Sequence, residues 1–214
     1  MSDFQGFGVM KTAIFGGTFD PVHNGHIGMA RYLLQSGTVE KACFLPAYLP
    51  PHKAGKKKIS DYAHRRNMLE LVLEDGMEIS DLEQQRGGIS YTFDTLSFLT
   101  QERPGDEICW VIGSDSLRQL HTWYRASELV KRFTFLTYPR GGETLPGEEE
   151  LAEHWQADTV RKLTANILRS APLYAENSTE IRENLKQGNT DAIRNCLPSA
   201  VLEYIKQNNL YTGE

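Results

Sequence analysis

The sequence predicts an α/β fold: a doubly wound parallel sheet with helices on both faces and a helical cap at the C-terminal end. Three observations predict it. Short apolar runs that stop at glycine or proline alternate with stretches of helical periodicity. The runs are continuously apolar, as strands buried on both faces are. The loops richest in polar chemistry follow those runs, where open parallel sheets bind their ligands.

Thr12-Ala13-Ile14-Phe15, ended by Gly16-Gly17, reads as the first buried strand. Ile27, Ala30, Leu33 and Leu34 then recur at helical spacing, and Gly37 stops that helix. Ala42-Cys43-Phe44-Leu45, stopped by Pro46, is the second strand and completes a right-handed βαβ unit. Residues 61–74 read as a helix with Asp61 at its N-cap, and residues 77–80 as a short strand. Residues 92–100 are helical, with Phe93, Leu96 and Leu99 on one stripe. Ile108-Cys109-Trp110-Val111-Ile112, ended by Gly113, and residues 133–138, ended by Pro139, are the remaining strands. Residues 141–153 are acidic and turn-rich and read as a surface excursion. From Ser178 onward the pattern is helical, over Ile181 and Leu185, then 192–196, then 201–207. Residues 1–9 read as a loose leader, with Met10 an alternative start, and residues 10–214 as a single domain whose helical cap is 178–214.

Composition narrows the class. The chain has 214 residues, 40% hydrophobic and 24% charged, with a net charge of −5. That balance predicts no general attraction to nucleic acid. Lys53, Lys56, Lys57 and Lys58 form the dense basic run, either a solvated loop or a phosphate contact. Cys43, Cys109 and Cys196 have neither disulfide-framework nor zinc-ligand spacing. No apolar run approaches the ~20 residues of a membrane span. The first residues lack the pattern of a signal peptide. A cytoplasmic protein without protein-held metal is expected.

The chemistry concentrates in Gly16-Gly17-Thr18-Phe19-Asp20-Pro21-Val22-His23-Asn24-Gly25-His26. A strand, two glycines and a helix start make a phosphate-binding arrangement, because glycine admits close backbone approach and helix N-terminal N–H groups face the anion. The stretch is neither a P-loop nor G-x-G-x-x-G. His23 and His26, three apart, share one face of the helix start, and Gly25 between them would let a ligand come close. Two imidazoles facing a polyphosphate can donate hydrogen bonds to oxygens whose charge grows in a transition state.

This segment resembles the signature of the H-x-G-H nucleotidyltransferase superfamily, and most closely that of bacterial nicotinate-mononucleotide adenylyltransferases. The likeness extends in order over residues 11–211. Pro50-Pro51-His52-Lys53 resembles a family loop, and Ser90-Tyr91-Thr92 with Asp94-Thr95-Leu96 its Ser-Tyr-Thr helix start. Gly113-Ser114-Asp115, Trp123-Tyr124 and Ser178-Thr179-Glu180-Ile181-Arg182 resemble further family motifs. Glu176-Asn177 stand where the family has Ile-Ser. Tyr48 stands where it often has a small polar residue, a change that would reshape the pyridine pocket.

The resemblance implies a Rossmann-like fold and adenylyl transfer from ATP to nicotinate mononucleotide, giving deamido-NAD and pyrophosphate, with Mg²⁺ held through substrate phosphates. It implies catalytic roles for His23, His26 and Arg182. The ATP site would comprise Gly16, Gly17, Thr18, Phe19, His23, Gly25, His26, Gly113, Asp115, Arg140, Ser178, Thr179 and Arg182, with Asp20 ordering the loop. The mononucleotide would meet Thr18, His52, Lys53, Tyr91, Thr92 and Trp123, Trp123 stacking on the pyridine. The alternatives are another transferase of the superfamily, acting on nicotinamide mononucleotide, pantetheine phosphate or a cytidylyl acceptor, and a non-catalytic nucleotide-sensing module. A class I aminoacyl-tRNA synthetase would need Lys-Met-Ser-Lys-Ser, which does not occur.

Overall fold

The computed structural model describes residues 9–50, 59–142 and 144–212. Strands β1 (Lys11–Gly17), β2 (Lys41–Pro46), β3 (Met77–Ile79), β4 (Glu107–Gly113) and β5 (Thr134–Tyr138) form one sheet in the order β3-β2-β1-β4-β5. Every pairing is parallel. The order reverses at β1, so β2 and β4 leave it in opposite directions and a crevice opens between β1 and β4 at their carboxyl ends.

Period-two alternation divides the strand side chains between two cores. Ala13, Phe15, Ala42, Phe44, Cys109, Val111 and Leu136 point to one face; Ile14, Cys43, Leu45, Ile108, Trp110, Ile112 and Phe135 point to the other. On the first face lie α1 (Asn24–Gln35), α2 (Tyr62–Glu70), α9 (Ser178–Lys186), α10 (Thr190–Ile193) and α11 (Ser199–Gln207). Ile181, Ile193, Val201 and Ile205 carry the last three helices into the same core as α1, so the C-terminal segment is tied to the sheet through shared apolar burial. The second face is covered by α4 (Thr92–Glu102), α5 (Ser114–Gln119), α6 (Ala126–Arg132), α7 (Glu148–Ala152) and α8 (Ala157–Ala165). The short α3 (Leu82–Arg86) adds Leu82 to it.

Three expectations need correction. The helix expected over 61–74 ends at Glu70, because the chain must turn through Gly76 at φ +81° to bring β3 alongside β2. Asp61 is its N-cap residue but makes no side-chain cap bond. The excursion at 141–153 is not all surface, since it contains α7 and buries Leu151 in the second core. Of the leader, residues 1–9, residues 1–8 lie outside the described residues.

Close approach fixes two glycines. A Cβ on Gly16 would stand 2.1 Å from Cζ2 of Trp110, whose indole crosses over the end of β1. A Cβ on Gly28 would stand 2.4 Å from the Tyr174 ring, which lies against α1. Trp110 is 5% exposed and has no room to withdraw. Gly16→Ala is therefore expected to cost about 1–3 kcal/mol by overpacking, and to cost little further when made in a Trp110→Leu background, whose own cavity cost sets the reference. Urea unfolding of the single and double variants measures both.

Candidate active site

A cavity of about 590 Å³ opens at the carboxyl ends of the strands, a size suited to a nucleotide-scale ligand. Gly16 and Gly17 from β1, Ile112 and Gly113 from β4, and Tyr138 with Arg140 from the end of β5 form one side. Ser90, Tyr91 and Thr92 at the start of α4, with Trp123 and Tyr124, form the other, aromatic end.

The phosphate loop is held from behind. Phe19 adopts φ +49°, a left-handed conformation that costs a phenylalanine on the order of 1–2 kcal/mol. The carbonyls on either side of it each accept from a guanidinium: Arg65 Nη1 to Thr18 O at 2.8 Å, Arg182 Nη1 to Asp20 O at 2.6 Å. Arg65 also donates to Ser60 O at 2.9 Å and is 2% exposed. The Asp20 carboxylate accepts from the Tyr211 hydroxyl at 2.6 Å and from the Ser60 N–H at 3.4 Å. The Phe19 ring is buried edge-on between His26 and Phe44.

The two histidines sit one behind the other. His23 is the N-cap residue of α1 and is 4% exposed; His26 is in the first turn and lines the cavity. Their rings stack at 3.6 Å. The His23 backbone N–H donates to Nδ1 of His26 at 3.2 Å. A neutral His26 with Nδ1 as acceptor must carry its proton on Nε2. Burial and the nearby Arg140 lower the pKa of His23 to about 3. Burial, His23 and Arg140 likewise hold His26 well below the ordinary imidazole range. The pair therefore works neutral, presenting one N–H donor rather than a fixed charge.

At the far side of the phosphate end, Arg140 Nη1 pairs with Asp115 Oδ2 at 2.7 Å, and the Arg140 N–H donates to Ser114 Oγ. Oδ1 of Asp115 is buried and unpartnered. It lies where a Cβ on Gly113 would meet it at 2.5 Å, so Gly113 is what lets the aspartate fold back over the strand end.

Comparison with known proteins agrees with this geometry. A family model described as cytidylyltransferase-like matches residues 14–184. A probable nicotinate-nucleotide adenylyltransferase of Neisseria meningitidis serogroup C is 37% identical over 94% of this chain and 98% of its own length. The nicotinate-nucleotide adenylyltransferase of Bacillus subtilis is 34% identical over the same shares. The chain belongs to the nicotinate-nucleotide adenylyltransferase family. A solved Plasmodium falciparum nicotinic acid mononucleotide adenylyltransferase, in complex with NaAD, shares the fold: TM-score 0.74 over 94% of this chain and 97% of that one, at 19% identity.

As a member of the nicotinate-nucleotide adenylyltransferase family, the chain distributes its expected site residues unevenly. Gly16, Gly17, Phe19, His26, Gly113, Asp115 and Arg140 line the cavity together, as do Tyr91, Thr92 and Trp123. His23, Thr18, Ser178, Thr179 and Arg182 are not among the described residues that line it. Ser178 Oγ donates to Pro21 O at 3.1 Å, and Arg182 Nη2 to Thr179 Oγ1 at 3.1 Å. Asn177 caps α9 by accepting from the Thr179 N–H at 2.8 Å, as its place in the sequence suggested. The space beside Gly25 is filled by Tyr174 and Glu176 rather than left for a ligand; a Cβ there would meet them at 3.1 and 3.2 Å. The Tyr48 ring lies 6.2 Å from that of Tyr62, and Tyr48 is not among the described residues that line the cavity, although Ala47 and Pro50 beside it are. His52, Lys53 and the lysines at 56–58 lie outside the described residues.

Sequence reasoning missed Trp110, Tyr138, Glu83 and Arg65. The signal for Arg65 was present: it shares a helical stripe with Met68 and Leu69, so it had to point inward.

Two outcomes follow. Arg65→Met leaves the Thr18 and Ser60 carbonyls without their donor and is expected to cost about 1–3 kcal/mol in urea unfolding. The second concerns pH. The unfolded chain protonates its histidines near the ordinary value of 6.5, whereas folded His23 does so only at about 3. Over that window the unfolded state holds more protons, so stability is full above about pH 6.5 and declines as the pH falls toward 3. His23→Asn, which keeps a good N-cap, is expected to flatten the slope of urea midpoint against pH there.

Proposed function

We propose that this chain joins ATP to nicotinate mononucleotide, giving deamido-NAD and pyrophosphate. The observation that carries the reading is the neutral His26, with Nδ1 committed to the His23 N–H and its remaining N–H available to a phosphate oxygen at the end of β1. A phosphate oxygen of the mononucleotide attacks the α-phosphorus of ATP, the bond to the β-phosphate bridge breaks, and pyrophosphate leaves with the electron pair. The attacking oxygen is already ionised, so no protein nucleophile or base is needed; positioning and charge stabilisation suffice. His26 supplies a fixed donor to the charge that develops, and the Arg140 guanidinium a nearby positive charge. Gly16 and Gly17 would admit the triphosphate close to the backbone. His23 serves by fixing the tautomer of His26, and Arg182 by holding the Asp20 carbonyl.

The aromatic end supports a pyridine acceptor. Trp123 and Tyr124 offer flat faces, and the first N–H groups of α4 lack intrahelical partners. A carboxylate only accepts hydrogen bonds, so a helix start favours nicotinate over nicotinamide, whose amide also donates.

Mg²⁺ would accompany the substrate phosphates. Among the described residues no group of three His, Cys, Asp or Glu side chains could hold a metal, and Asp115 is the carboxylate at the phosphate end. That donor set fits an ion that keeps most of its coordination on phosphate and water. It would screen phosphate charge during attack.

His26→Ala is expected to lower kcat by on the order of 10²–10³ with the circular dichroism spectrum unchanged; wild-type turnover would refute its role. Parallel assays with nicotinate and nicotinamide mononucleotide are expected to give a higher kcat/KM for the acid, and equal values would defeat the carboxylate argument.

A further inference from the structure

Glu83 is a buried acid at the aromatic end of the cavity that neither phosphate binding nor ring stacking uses. It is 4% exposed and lines the cavity. Its carboxylate accepts from three directions. The Thr95 hydroxyl donates to Oε1 at 2.8 Å, the Tyr48 backbone N–H to Oε2 at 3.3 Å, and the Ser90 hydroxyl hydrogen-bonds it as well. Ser90 Oγ in turn accepts from the N–H groups of Tyr48 and Leu49 at 3.2 and 3.3 Å, and the Ser90 N–H donates to Leu49 O at 3.0 Å.

These bonds join two segments that have no regular structure in common. One is the loop of residues 47–50 that leaves β2, with Ala47 and Pro50 in the cavity wall. The other is the start of α4, where Ser90, Tyr91 and Thr92 also line the cavity. Tyr48 and Leu49 are 42% and 38% exposed, so apolar burial does little to hold the loop. The polar network is what ties the loop to the start of α4.

We propose that Glu83 is a positioning residue for the acceptor, anchoring the 47–50 loop to the start of α4 and so fixing the wall against which the acceptor ring lies. The proposal rests on reading this end as the mononucleotide pocket. Burial raises the carboxyl pKa, while Ser90, Thr95, the Tyr48 N–H and Arg86 favour the ionised form. Glutamine keeps the length of the side chain but replaces one acceptor oxygen with a donor, which faces donors already in place.

The test compares wild type, Glu83→Gln, Glu83→Ala and Ser90→Ala. Steady-state kinetics give KM for each substrate and kcat, and amide hydrogen exchange reports on Tyr48 and Leu49. Glu83→Ala and Ser90→Ala are expected to raise KM for nicotinate mononucleotide about tenfold, the loss of one hydrogen bond to a charged group. Glu83→Gln is expected to fall between them and wild type. KM for ATP and kcat are expected to change little, and the two amides to exchange faster. A merely structural role would lower the folded fraction and apparent kcat with both KM values intact, and that result overturns the proposal. So do unchanged acceptor KM and unchanged exchange. If Glu83→Ala does not fold, Ser90→Ala carries the same comparison. If the wild type turns over no nicotinate mononucleotide, the functional reading fails, and the exchange of Tyr48 and Leu49 still decides whether Glu83 anchors the loop.

Discussion

Two guanidinium groups gripping the carbonyls on either side of Phe19 hold the site in shape. Phe19 stands in a left-handed conformation that its side chain disfavours. Thr18 O and Asp20 O, on either side of it, are each bound by an arginine from a different helix. Arg65 comes from α2, and Arg182 from α9, more than 160 positions further along the chain than Asp20. The turn thus exists because the C-terminal helices pack on the same face of the sheet as α1 and α2. A charge-assisted bond to a buried carbonyl is stronger than a neutral one, and two of them offset the strain at Phe19. The C-terminal segment is in this sense part of the phosphate loop, although none of its described residues lines the cavity.

The consequence reaches the chemistry through the histidines. The turn delivers His23 to the N-cap of α1, where its backbone N–H meets Nδ1 of His26. Burial and Arg140 keep both rings neutral. A fixed cation would bind substrate, product and transition state alike. A neutral donor of set tautomer gains most where oxygen charge grows, which is how differential binding raises rate. Positive charge is supplied separately by Arg140, itself balanced by Asp115. The aromatic end is built on another logic, with a buried acid and a serine hydroxyl holding a loop that apolar packing leaves loose.

Much of this was legible in the sequence, and the parts that were not share a cause. The five strands and their parallel arrangement followed from apolar runs cut off by Gly16, Pro46, Gly113 and Pro139. The cavity wall at Gly16, His26, Gly113, Tyr91 and Trp123 followed from loops at strand ends and from family resemblance. Helices α3, α5 and α6 show no readable period, because five to seven residues span too few turns; α8, with Val160 and Leu163 on one stripe, had a period that the sequence reading passed over. Arg65 and Glu83 were missed because a charged residue reads as surface unless its partners are known, and those partners are backbone groups and hydroxyls distant in sequence. His23 and Arg182 also hold the groups around them, the His23 N–H on Nδ1 of His26 and the Arg182 guanidinium on the Asp20 carbonyl, partners that spacing alone does not show.

The account turns on His26 being a neutral imidazole with its proton on Nε2. Nitrogen-15 chemical shifts of the histidine rings in the free protein test that most directly, followed from about pH 8 to about pH 5, across the range where an ordinary imidazole titrates. The account predicts an acceptor-type Nδ1 and a protonated Nε2 at His26, unchanged throughout. An imidazolium appearing near the ordinary pKa, or the opposite tautomer, would contradict it.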